Sequence, residues 1–64
     1  MRCISVEQAQ ALLGQMVYCS KFTGRNFAAK LIEIENEGTI LVFQIRNGAI
    51  LRDARSDILL MEAF

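Results

Sequence analysis

"TILVFQIRNGAILRDA", residues Thr39 to Ala54, decides the fold of this chain. Thr39 to Ile45 is rich in branched and aromatic residues, the types that fit a pleated surface. Arg46-Asn47-Gly48 is the strongest hairpin signal in the sequence, and Asn-Gly suits a primed two-residue turn. Ala49 to Ala54 then returns as a second strand.

Working toward the N-terminus, Asn36-Glu37-Gly38 reads as another turn. Asn26 to Glu35 precedes it, with Lys30, Glu33 and Glu35 set against Ile32 and Ile34 as in a strand with one wet face. Thr23-Gly24-Arg25 turns that strand back onto Met16–Phe22. Toward the C-terminus, Arg55-Ser56-Asp57 is a short connector and Ile58–Met61 a fifth strand. The first thirteen residues follow a different period. Ser5-Val6-Glu7-Gln8 forms a capping box, Ile4 and Ala9 a hydrophobic staple, and Val6, Ala9, Leu12 and Leu13 an apolar stripe closed by Gly14. The spacing predicts a helix over about 5–13.

One short helix followed by five short strands with tight turns predicts a mainly β chain, a single domain built as a small SH3-like barrel over about 15–62. A helix laid on a two-layer sheet is the alternative. The third strand is apolar on both faces, with Leu41, Phe43 and Ile45 on one and Ile40 and Val42 on the other. With 64 residues, 53% of them hydrophobic, the chain holds more apolar material than a small core hides. The surplus predicts a homo-oligomer or a partner surface, with the fourth strand of one copy against the fifth of the next. Ile40, Val42, Ile50 and Leu60 are the candidate interface residues.

Seven Lys and Arg balance seven Asp and Glu, so no global positive field draws phosphate, and nucleic-acid binding would need a local patch. Lys21-Phe22-Thr23-Gly24-Arg25-Asn26-Phe27 offers one: Phe22 and Phe27 as stacking rings, Lys21 and Arg25 as phosphate contacts. The bland reading is a hairpin whose phenylalanines cap the barrel and whose cations are solvated. Arg52 and Arg55, with Arg46, make a second candidate strip. Glu33, Glu35 and Glu37 read as a solvated strand face, with Lys30 pairing a cross-strand acid.

Enzyme chemistry finds no footing. There is no histidine, no serine-nucleophile motif and no phosphate-cradling glycine loop. Cys3 and Cys19 are two thiols where a zinc site needs about four ligands, so no metal or other cofactor is expected. No apolar run approaches the roughly 20 residues of a membrane span, and Met1–Ser5 has no leader-like apolar core, so a cytoplasmic protein is expected.

Between Leu13 and Met61 the chain resembles the Sm-like family of small barrels, whose members open with a short helix and five bent strands. Gly24, Ala29, Leu31, Glu35 and Thr39 stand at the intervals of that family's first motif. The glycine and leucine match outright, and the other three are near substitutes. Other SH3-like barrels fit the pattern almost as well. The resemblance implies an oligomer that binds RNA, with bases stacking in the turn between strands two and three, where this chain has Glu37. It also implies a basic residue in the connector before strand five. The arginine-glycine pair of the family is absent there, and Arg52-Asp53 keeps the cation of the bacterial host-factor branch without its histidine. The class alternative is a protein-interaction or assembly module that binds no nucleic acid.

Overall fold

The computed structural model describes residues 2–64. The capping box forms as the sequence predicts: the Ser5 hydroxyl accepts from the Gln8 amide at 3.1 Å, and the Gln8 side chain accepts from the Ser5 amide at 2.8 Å. Helix α1 then spans Val6–Ala11, shorter than the expected 5–13. Gly14, at φ +87°, gives its N–H to the carbonyl of Leu31 at 2.7 Å rather than to the helix. The chain is thereby drawn off the helical path early, and Leu13 leaves the stripe for solvent. Ile4 and Ala9, the staple pair, are both buried. Ser5→Ala is expected to cost about 1 kcal/mol, read as a lower denaturation midpoint.

Five antiparallel strands follow: β1 (Met16–Lys21), β2 (Asn26–Glu35), β3 (Ile40–Gln44), β4 (Ile50–Ala54) and β5 (Ile58–Ala63). One-turn 3-10 segments, η1 (Asn36–Gly38) and η2 (Arg55–Asp57), join β2 to β3 and β4 to β5. The sheet order is β4-β3-β2-β1-β5, so β4 and β5 are its two edges although only η2 separates them in sequence. The chain is mainly β in one sheet with one short helix, as its periodicity predicts. β5 runs two residues past the expected Met61, because its pairing with β1 continues to Ala63 opposite Val17.

The sheet is rolled rather than flat. In a flat sheet β1 and β4, three spacings apart, would lie about 14 Å from one another. Here the Lys21 ammonium on β1 meets the Asp53 carboxylate on β4 at 3.0 Å. Two bulges sharpen the bend, one in β2 at Ile32, between Leu31 and Glu33, and one in β5 at Leu59, opposite Ser20 and Lys21 of β1. The concave face holds the core, with Val17, Cys19, Leu31, Leu41, Phe43 and Ile58 fully buried.

Both tight hairpins have the same turn, and it is not the primed one expected at Asn47-Gly48. Gly48 donates to the Ile45 carbonyl at 2.8 Å while Ile45 donates to Ala49 at 3.0 Å. Gly48 has φ +90°, and Asn47 is not among the positive-φ residues that a primed turn would require. Lys21, Gly24 and Arg25 repeat this pattern. Each loop is therefore three residues long and ends on a left-handed glycine. The η1 turn is the unusual one. Asn36, Glu37 and Gly38 are all left-handed, at φ 55°, 58° and 91°. Such backbone costs an L-residue about 1–2 kcal/mol, less for asparagine. A Cβ on Gly38 would stand 2.7 Å from a Val6 methyl carbon, so α1 rests directly on this turn.

Candidate interaction surfaces

Two of the four candidate side chains of the Lys21–Phe27 hairpin, Lys21 and Phe27, already have structural partners. Lys21 is bound to Asp53, with 21% and 10% of the two side chains exposed. Phe27 meets Phe43 edge to face, ring centroids 5.2 Å apart, and packs against the core. Phe22 is half-buried, and its N–H donates to the Asp57 carbonyl at 3.1 Å, tying the hairpin to η2. Of the hairpin's two cations, Arg25 is the one that is exposed and outside any ion pair among the described residues. The hairpin thus commits Lys21 and Phe27 to contacts within the fold and leaves Arg25 to solvent.

The second basic strip is divided in the same way. Arg55 is a structural clamp: its guanidinium donates to the Gly38 carbonyl and to the Ile4 carbonyl, each at 2.7 Å, and reaches the Cys3 sulfur at 3.5 Å. It thereby ties the segment before α1 to η1 and η2. Arg52 pairs with Glu35 at 3.3 Å on an exposed face, a contact that contributes about 0.2–1 kcal/mol. Glu37 projects into solvent from the left-handed turn. Lys30 lies opposite Met16 and Gln44 in the ladders, and no cross-strand acid pairs with it among the described residues.

The four candidate interface residues also separate. Ile50 and Leu60, at 48% and 46% exposed, stand on the two edge strands. Ile40 is half-buried. Val42 is 3% exposed and therefore unavailable to a partner, because it sits on the central part of the curled sheet between Glu33 and Arg52. Sequence reasoning passed over two edge residues of the same kind, Leu51 at 37% and Leu59 at 48% exposed. Alternation gives no hint of them, since Leu51 lies opposite the core residue Phe43 and would be buried in a sheet with another strand beyond β4.

The two thiols differ. Cys3 is half-buried beside Arg55, whereas Cys19 is fully buried on β1. Burial, and then the charge of Asp53, pushes the Cys19 thiol up to about 12 from an ordinary value near 9. A folded pKa above the unfolded one favours the protonated fold. That contribution is complete below pH about 9 and is lost as pH rises toward about 12. At pH 8 a thiol-specific reagent is expected to label Cys3 before Cys19. Equal rates at the two positions in the folded protein would refute the buried placement.

Among the described residues no three His, Cys, Asp or Glu side chains converge as a metal site would need. No described helix is long and apolar enough to cross a membrane. No family model, curated protein or solved structure matches the chain.

Proposed function

We propose that this protein is a non-enzymatic, Sm-like assembly module that forms homo-oligomers by pairing the β4 edge of one copy with the β5 edge of the next. The supporting observation is the pair of open sheet edges, each carrying exposed leucine or isoleucine: Ile50 and Leu51 on β4, Leu59 and Leu60 on β5. Open apolar edges are templates for another strand, and inter-copy pairing satisfies both their backbone groups and their apolar surface. Light scattering at micromolar concentration is the test. A mass above the 7.2 kDa of one chain is expected, and Leu60→Lys is expected to lower it while circular dichroism stays β-like. A parent mass of one chain would end this reading.

Nucleic-acid binding, RNA above all, is the second reading, favoured by Arg25, exposed beside the hairpin loop and outside any ion pair among the described residues, with the half-buried Phe22 in that loop. Titration with short uridine-rich and adenine-rich RNAs at low and moderate salt tests it. An Arg25→Ala change would flatten the salt dependence of any binding by about one counterion.

A further inference from the structure

Apart from the two sheet edges, the surface carries two patches of opposite charge and similar apolar character. One is a groove on the convex face, where Met16 and Phe64, 47% and 77% exposed, and Ile45 lie beside Lys30 and Arg46. The Phe64 N–H donates to the Met16 carbonyl at 3.0 Å, which holds the backbone along this groove in place. The other patch lies where β2 meets η1 and α1. There Leu13 and Ile32, 47% and 37% exposed, lie beside Glu33 and Glu37. Lys30, Arg46, Glu33 and Glu37 are all exposed, and none stands in an ion pair among the described residues. The chain has no net charge, so these cations and acids are separated on the surface rather than in excess.

We infer that the groove at Lys30, Arg46 and Phe64 receives the Glu33–Glu37 patch of a second copy of this chain. The match is twofold: two free cations face two free carboxylates, and each set is bordered by exposed apolar side chains that the contact would cover. Charge complementarity of this kind fixes register and rejects wrong partners. The contact is heterologous, because the two surfaces differ, so it joins copies head to tail. It uses neither β4–β5 edge pairing nor the Lys21–Phe27 hairpin, and it is a second contact independent of the proposed seam.

The test is carbodiimide cross-linking, which joins a lysine amine to a carboxylate in contact, on an equal mixture of light and heavy isotope-labelled full-length chain. It is run on the parent and on Leu60→Lys, which removes the edge seam. Mixed-isotope links from Lys30 to Glu33 or Glu37 are expected in both. High salt is expected to suppress them. Arg46→Glu is expected to lower their yield about tenfold by placing like charges opposite each other. Arg46 sits exposed on a three-residue turn, so this variant keeps the fold. Links confined to one isotope, a yield that Arg46→Glu leaves unchanged, or links present in the parent and absent from Leu60→Lys would each overturn the head-to-tail contact. An assembly mass that Leu60→Lys leaves unchanged, with the mixed-isotope links retained, would sink the edge-pairing reading and leave this one standing.

Discussion

Gly38→Ala is expected to lose about 2–4 kcal/mol of stability, a large share of what a chain of this size possesses. Two costs add. The backbone at φ +91° favours glycine, and the new methyl would meet a Val6 methyl carbon at 2.7 Å. Val6 is held on a short helix whose position is fixed by its cap and by Arg55 bound to Ile4 and Gly38, so it has little room to retreat. Denaturant unfolding measures the sum, and a double-mutant cycle with Val6→Ala separates the parts. The second substitution is expected to relieve the clash and leave the backbone cost. A Gly38→Ala midpoint equal to that of the parent would mean that α1 does not rest on η1.

The second large effect concerns the ion pair that spans the rolled sheet. Lys21→Met is expected to cost about 2–4 kcal/mol, because it leaves the Asp53 carboxylate buried without its counter-ion. A fully buried pair would lose somewhat more, but a fifth of Lys21 is exposed and water can reach its place. One Asp53 oxygen, Oδ2, is already buried without a partner among the described residues. Replacing both residues, Lys21→Met with Asp53→Leu, is expected to recover most of the loss, so that the double variant stands closer to the parent than to Lys21→Met. If Lys21→Met alone matched the parent, the pair would behave as an ordinary surface contact.

The elements governed by local chemistry were legible in the sequence. The turns at Thr23–Arg25 and Asn36–Gly38 bound β2 to the residue, although its expected alternation breaks at Ile32, the extra residue of a bulge, and Ser5 with Gln8 marks the start of α1. The helix end was misplaced because Gly14 hands its N–H to Leu31, a partner seventeen positions away that no helical period reveals. The Asn47-Gly48 turn was found, but its type was not. Asparagine tolerates a left-handed backbone without requiring it, and here only the glycine adopts one. The candidate binding residues suffered most from distance. Nothing near Lys21 in sequence announces Asp53, and nothing near Arg55 announces Ile4, so cations that read as solvated or ligand-binding are internal ties. The Phe27 ring meets Phe43 edge to face, a partner sixteen positions away that its neighbours in sequence do not announce. Edge exposure at Leu51 and Leu59 depends on which strand lacks a neighbour, a property of the whole sheet.

The Arg55 clamp also sets an order of events during synthesis. The guanidinium that fastens the segment carrying Ile4 is made 51 residues after it. At about 5–20 residues per second, that is a wait of roughly 3–10 s. Through that interval α1 is too short to persist alone, and its apolar stripe has no seat. The segment before α1 is therefore made well before the side chain that fastens it, and its place in the fold waits on residues more than fifty positions further along.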